Sequence, residues 1–364
     1  MLHKDLVIIG GGPAGLMAAL RAAESNQKVL LIERNPVLGG QLIKQTHKFF
    51  GSEKQNAKMR GFQIAQEIIE HLHHFPDLVE WMTDTTVVGL YPDYVITCLR
   101  LNKYFKIQAK AIIIATGASE KVLAFENSDL PGIYGAGAVQ TVMNVHHIRP
   151  GNKVIMVGSG NIGLIVSYQL LQAGVKVCAV IEAAPSIGGY KVHAAKLRRL
   201  GVPILTSCTI LKAIGTLSVE QVELVSLDEQ WNVIANSNRF IDVDTVCIAV
   251  GLTPLSNLLA MMGAKMNYIP ELGGNVALID EHFQTTIKNI YCCGDVSGIE
   301  EASSAIIEGS IAGLEASFAL GQAHPNYQSL LAELNQQLKE LREGPFGEKI
   351  RKGINKMEEY YHAF

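Results

Sequence analysis

The chain has 364 residues, of which 48% are apolar, 34 are glycine and 18% are charged, enough material for two sizeable buried cores rather than one. Disordered and fibrous classes are excluded by that composition. With 31 Lys plus Arg against 34 Asp plus Glu the formal net charge is −3, so no basic field for nucleic acid exists, and a small-molecule substrate is the expected partner.

In chain order, Leu6-Val7-Ile8-Ile9 is a short apolar run, followed by Gly10-Gly11-Gly12-Pro13-Ala14-Gly15 and then by Leu16 to Ala23, rich in strong helix formers. This pattern predicts a buried parallel strand feeding a helix. A second apolar run, Val29-Leu30-Leu31-Ile32, ends in Glu33 and completes a strand–helix–strand crossover. Ala111 to Ala115, followed by Thr116-Gly117, predicts another buried strand ending in a tight turn, and Pro131-Gly132 and Pro150-Gly151 mark breaks.

The opening pattern then recurs. Val154-Ile155-Met156-Val157 leads into Gly158-Ser159-Gly160-Asn161-Ile162-Gly163, a helix through Gln172, and a strand ending at Glu182. Ile32 to Gly40 matches Ile181 to Gly189 at an offset of 149 (181 − 32), and the glycine triads match at 148 (158 − 10), so the chain contains an internal repeat with one indel. Thr245 to Gly251, with Pro254 beyond, closes the second copy as Ala111 to Gly117 closes the first. One more strand, Ile290 to Cys292, is followed by Gly294-Asp295 and a helix from about Glu300 to Leu320. From His324 the texture turns polar and helical, with Tyr327, Leu330, Leu331, Leu334, Leu338 and Leu341 at steps of three and four, interrupted at Gly344-Pro345-Phe346-Gly347. The predicted class is therefore α/β: two Rossmann-like dinucleotide-binding domains, the first discontinuous (1–122 and 254–322), the second inserted (123–253), plus a helical C-terminal extension (323–364).

The spacing G-x-G-x-x-G has a mechanical reason. Its first glycine allows the tight turn, its second lets a pyrophosphate approach the backbone, and its third lets helix and strand pack closely. Free amides and the helix dipole favour the phosphates. Close packing without a ligand is the alternative for a lone triad, and two triads, each with an acid ending the second strand, weigh against it. Glu33 and Glu182 are placed to accept from a ribose diol. A carboxylate at Glu182, with no Arg in the next few residues, repels a 2′-phosphate, so NAD(H) is favoured over NADP(H).

Cys98, Cys178, Cys208, Cys247, Cys292 and Cys293 form no C-x-x-C, which predicts a reduced, cytoplasmic chain. Met1 to Ile9 carries no export signal. Val154 to Val175 is uncharged, but its glycines suit a strand–turn–helix, and no membrane span is expected. His71, His73 and His74 have no companion Cys or Asp at ligand spacing, so no metal site is expected.

Across residues 4–322 these marks resemble the pyridine nucleotide–disulfide oxidoreductase superfamily, two-domain flavoproteins with a thioredoxin reductase-like layout. The resemblance implies FAD on Gly10, Gly12, Pro13, Ala14 and Gly15, with Glu33 at the adenosine ribose and Arg34, Gly40, Gln41, Val87, Ala115, Thr116 and Gly117 alongside. Gly294 and Asp295 are implied at the ribityl or phosphate region, and the helix starting near Glu301 and Ala302 at the flavin edge. It implies the nicotinamide dinucleotide on Gly158, Gly160, Asn161, Ile162, Gly163, Glu182 and Gly251. Disulfide reductases of this group carry redox cysteines shortly after the Gly39-Gly40 segment or just before the second triad; here Gly39 to His47 and Gly132 to Gln140 contain none. Cys292-Cys293 reads as core, since vicinal cysteines form only a strained bridge. His47, close after Gln41, is the one candidate for moving a proton.

Leu130 to Gln140, Ile187 to Tyr190 and Gly294 to Ala302 are similar, more narrowly, to flavoprotein alpha-type subunits of sarcosine oxidase, opine oxidase, dye-linked proline dehydrogenase and hydrogen cyanide synthase. That likeness implies hydride transfer between NAD(P)(H) and FAD without a redox disulfide, in an oligomer with a second flavoprotein subunit oxidising an amine, imino acid or opine. A stand-alone NADH:acceptor reductase and a scaffold subunit with structural nucleotides remain alternatives.

Overall fold

A computed structural model describes residues 1–49, 54 and 56–364. The chain folds as two compact units, one formed by Met1–Ser119 with Thr253–Phe364 and the other by Glu120–Leu252.

The first unit is built on a seven-stranded sheet. Val79–Met82, Val29–Ile32, Leu2–Ile9 and Lys103–Ile114 run parallel in that spatial order, and Ile290–Cys292 joins parallel to Ile112–Ile114. The other half of Lys103–Ile114 pairs antiparallel with Val95–Arg100, which pairs with Thr86–Leu90. Sequence reading did not foresee this meander. Its strands mix buried with exposed positions, as antiparallel strands with one solvated face do.

Covering helices explain the density of small residues. Ala302–Ala319 is apolar on nearly every side and largely buried, as a helix enclosed by other elements must be. It packs on Pro13–Glu24 at backbone distance: a Cβ on Gly309 would lie 2.0 Å from the Ala14 carbonyl oxygen, and one on Gly313 2.4 Å from that of Ala18. The two C-terminal helices belong to this unit. Tyr327–Leu341 buries Leu334 and Leu338 against its core, and Tyr327 stacks on Phe318 at 4.6 Å. Glu348–His362 buries Gly353 and Met357.

The second unit holds a five-stranded parallel sheet in the order Ile204–Leu205, Lys176–Ile181, Lys153–Val157, Thr245–Ile248, Ile133–Gly135. Its three central strands, Lys176–Ile181, Lys153–Val157 and Thr245–Ile248, are buried along most of their length, which requires the continuous apolar runs that the sequence shows. One core packs against helices Ala136–Asn144, Asn161–Gln172 and Lys191–Arg199; the other lies under an antiparallel sheet of Cys208–Ile214, Gln221–Ser226 and Arg239–Asp242. The uncharged stretch from Val154 resolves into Lys153–Val157 and Asn161–Gln172, and no helix among the described residues is long and apolar enough to cross a membrane.

Candidate functional site

The two glycine turns are built from the same hydrogen bonds. In the first, Gly10 N–H donates to Ile32 O (2.8 Å), Ala115 N–H to Ile9 O (2.8 Å) and Glu33 N–H to Met82 O (2.9 Å). In the second, Gly158 N–H donates to Ile181 O (2.8 Å), Ala249 N–H to Val157 O (2.7 Å) and Glu182 N–H to Leu205 O (2.8 Å). Gly10 and Gly158 have φ of +111° and +106°, where an added Cβ would lie 2.3 Å from the oxygens of Ala115 and Ala249 respectively. A Cβ on Gly15 or Gly163 would meet the oxygen of Gly10 at 1.8 Å or of Gly158 at 2.2 Å. The outer glycines of each triad are thus demanded by the fold itself.

The middle glycines are not. Nothing lies within 4 Å of a Cβ on Gly160, and a Cβ on Gly12 would meet only Gly40 Cα at 3.9 Å. Among the described residues, none accepts a hydrogen bond from the amides of Gly12, Ala14 and Gly15 or of Gly160, Ile162 and Gly163. Each turn therefore offers helix N-terminal donors across a space that only the absence of a side chain keeps open, which fits a pyrophosphate.

Both strand-end acids are turned toward their turns. The buried Glu33 accepts from Gly11 N–H at 2.7 Å and from the amide and side chain of Asn35 at 2.8 and 2.7 Å. Glu182 accepts from Ser159 N–H at 2.9 Å, Ser159 Oγ at 2.6 Å and Ala184 N–H at 3.0 Å. A carboxylate has about four acceptor positions, so each retains about one for an outside hydroxyl. Sequence spacing located both acids but not this first task of tying down the turn.

Gly39 and Gly40 adopt φ of +114° and +52°, and Gly39 N–H donates to Gly11 O at 2.8 Å, bringing Gly40 beside Gly12. Arg34 and Gln41 are exposed nearby in sequence, and Val87 lies on Thr86–Leu90, two residues after Thr85, whose N–H donates to Glu33 O. Thr116 Oγ donates to Leu255 O at 2.9 Å, and Gly117 has φ of +70° with open space where a Cβ would stand. Gly294 (φ +77°) packs against Ala14, so the two segments assigned to one ligand meet. Beside it, burial pushes the Asp295 carboxyl up to about 6 while the Glu300 amide, 3.3 Å away, pulls it back. Glu301 stands at the N-cap position of the helix that begins at Ala302, without a side-chain capping bond. In the second unit Asn161 Oδ1 accepts from Tyr190 N–H at 2.8 Å, Ile162 is exposed at the helix start, and Gly251 has φ of +114°. His47 is half-buried and stacks on Phe49 at 5.8 Å.

Three features escaped sequence reasoning. Glu120 accepts from Gly137 N–H at 2.6 Å and Ala138 N–H at 3.2 Å, capping Ala136–Asn144 with a carboxylate from far along the chain. Glu308, buried in the Ala302–Ala319 helix, accepts from Gly294 N–H at 2.7 Å. Arg342 bridges Glu300 and Glu308. All three are long-range pairings of ordinary charged residues, which carry no local signature. All six cysteines are free, and burial raises every one of their thiols above the ordinary range. A cavity of about 660 Å³ lies at the opposite ends of the first unit's strands, lined by His3, Lys4, Asp5 and Lys110 among others, away from both turns.

Comparison with known proteins agrees with this construction. The chain is 29% identical over 331 residues to the sarcosine oxidase alpha subunit of Corynebacterium sp. (strain U-96), covering 85% of this chain and 32% of that one. An opine oxidase subunit from Agrobacterium tumefaciens (strain Ach5) is 26% identical over 341 residues, covering 86% of this chain and 65% of that one. The chain thus spans about a third of the first relative and under two thirds of the second. The fold is that of T. acidophilum thioredoxin reductase, with a TM-score of 0.71, 20% identity, and coverage of 87% of this chain and 99% of that one. Over residues 4–332 the sequence matches the family model of pyridine nucleotide-disulphide oxidoreductases, and the chain belongs to that family of oxidoreductases, which use FAD and a pyridine nucleotide.

Proposed function

We propose that this chain moves a hydride between NAD(H) and FAD without a redox-active disulfide, as one subunit of an amine-, imino-acid- or opine-oxidising enzyme that includes a second flavoprotein subunit. The observation that carries the proposal is the pair of turns with matching hydrogen bonds, each with its middle glycine facing open space. FAD supplies a ring system that accepts or donates a hydride when bound. The chain's own residues do the rest. Amides of Gly12, Ala14 and Gly15 hold one pyrophosphate, and those of Gly160, Ile162 and Gly163 the other. Asp295 and the Glu301–Ala302 helix start face the flavin end of the first ligand, where a helix N-terminus favours the negative charge of the reduced ring. Glu182 selects NAD(H) by repelling a 2′-phosphate. The named relatives, an oxidase of sarcosine and one of opines, support the class of the second substrate.

Anaerobic titration of the flavin-loaded protein tests this directly. NADH should bleach the flavin band and NADPH should do so poorly, while sarcosine, proline or an opine should bleach it only with a partner subunit present. Turnover of NADH with a soluble acceptor and no effect of any partner would identify a self-contained reductase instead. A bound flavin that NADH leaves oxidised would make the nucleotides structural.

A further inference from the structure

Resting on the assignment of FAD to the first unit, the geometry points to the C-terminal helices as the positioning element of the Gly294–Glu301 loop, with Arg342 as the residue through which they act. Arg342 closes the helix Tyr327–Leu341 and lies beyond the residues matched by the family model, which end at 332. Its Nη2 lies 2.6 Å from Glu300 Oε1 and 2.5 Å from Glu308 Oε1, and its Nε lies 3.1 Å from Glu300 Oε1. The side chains are 16%, 10% and 4% exposed for Arg342, Glu300 and Glu308, so solvent does little to screen them.

The Glu308 carboxylate then holds one side of the loop, and Glu300, itself a loop residue, is held directly by Arg342. Glu308 Oε2 accepts from Gly294 N–H at 2.7 Å, with Ser297 Oγ 3.3 Å away, and Ser297 N–H returns to Gly294 O at 2.8 Å. The Glu300 amide donates to Asp295 Oδ1 at 3.3 Å. A second support comes from the last helix. Leu272 is pinned where a Cβ on Gly353 would lie 2.7 Å from it; its carbonyl accepts from Ile299 N–H at 3.1 Å, and its side chain packs under Gly298. One guanidinium thus holds Glu300, whose amide reaches Asp295 from one side, and compensates Glu308, which fixes Gly294 on the other. Without it, Glu308 must take up a proton or leave its pocket, and either event weakens the acceptor that fixes Gly294. Burial pushes the Glu308 carboxyl up and Arg342 pulls it back down.

The test compares wild type with Arg342→Lys, Arg342→Met and the double variant Arg342→Met/Glu308→Gln. FAD affinity is measured by fluorescence quenching on apoprotein, with visible circular dichroism of the bound flavin and apoprotein melting recorded alongside. Arg342→Met should weaken FAD by about tenfold, an ordinary size for coupling between adjoining elements, and change the flavin dichroism. Arg342→Lys should recover most of the affinity. The double variant no longer buries an uncompensated Glu308 carboxylate and should fold even if Arg342→Met does not, yet still bind FAD more weakly than wild type because Glu300 is unheld. Wild-type affinity and dichroism in either Met variant, with only melting lowered, would overturn the inference and reduce Arg342 to a structural role. Wild type that binds no FAD would instead overturn the assignment on which it rests.

Discussion

Substituting the middle glycine of the second turn separates binding from folding. Gly160 is the N-cap of Asn161–Gln172, with φ −65° and ψ 174°, an extended conformation open to alanine. A Cβ there meets nothing within 4 Å, so Gly160→Ala has no steric cost in the free protein. Alanine is the poorer N-cap by about 0.5–1 kcal/mol, but it lowers the entropy of the unfolded chain by about 0.4–1 kcal/mol, so the two nearly cancel. A pyrophosphate seated on the turn would meet the methyl directly. Displacing it from the helix N-terminus should cost about 2–3 kcal/mol, or roughly 30- to 150-fold in NADH affinity. Gly163→Ala is the counterpart: its Cβ would lie 2.2 Å from Gly158 O, and relieving such overpacking costs about 1–3 kcal/mol or more of stability. Apoprotein melting and NADH titration on both variants read the contrast. An unchanged NADH affinity in Gly160→Ala would refute the placement of the dinucleotide on this turn.

Further outcomes follow from the same geometry. Glu182→Gln should shift the ratio of NADPH to NADH affinities toward NADPH by about tenfold, since one carboxylate–phosphate repulsion near the surface is worth about 1–2 kcal/mol; equal ratios in titrations of both proteins would remove Glu182 from cofactor selection. Gly309→Leu should lower stability by at least about 3 kcal/mol in urea unfolding, because the Ala14 carbonyl, 2.0 Å from the added Cβ, is backbone and cannot move without the helix. Asp295 supplies a pH signature. Its folded pKa is raised from 3.8 to about 6, so its ionisation opposes folding: the penalty is absent below about pH 4, grows between about pH 4 and 6, and is constant above that. Apoprotein Asp295→Asn should therefore exceed wild type in stability by up to about 3 kcal/mol at pH 8 and match it near pH 4, and melting curves that stay parallel across that range would contradict the burial argument.

What could be read in advance was whatever a local pattern dictates. A tight turn between a buried strand and a helix needs glycine at fixed steps, so Gly10, Gly15, Gly158 and Gly163 are visible in the sequence and each meets backbone in the structure. The repeat was visible for the same reason, although its alignment was not complete: Gly39 N–H donates to Gly11 O, whereas in the second copy it is Gly189 N–H, not Gly188 N–H, that reaches Ser159 O. The bond that matters is thus one residue further on than sequence matching indicates. Side chains that pair across long separations stayed hidden. Arg342 is 34 residues from Glu308, and Glu120 is 17 from Gly137; no periodicity links either pair. No local pattern marks Gly309 and Gly313, because the surface they meet, Ala14 and Ala18, lies nearly 300 positions away.

The Glu120 cap bears on how electrons leave the protein. A redox thiol works as a thiolate, and the usual way to stabilise one is a helix N-terminus or a neighbouring cation. In the second unit the N-terminus of Ala136–Asn144 lies in the segment where disulfide reductases of this family carry their cysteines, and here its amides are already committed to a carboxylate. A Cβ on Gly135 would come 2.2 Å from Glu120 Oε2, so a side chain there would have to displace that acid from the helix N-terminus. A thiolate introduced there would meet a negative charge instead of free donors. The existing cysteines are no substitute, because burial pushes Cys292 and Cys293 far from the thiolate form and their neighbour Glu308 pushes them further. With thiol chemistry disfavoured there by charge as well as by composition, the proposed function has the flavin exchange electrons directly with a nicotinamide and with another redox centre brought alongside. In the proposed enzyme a partner subunit would supply that second centre.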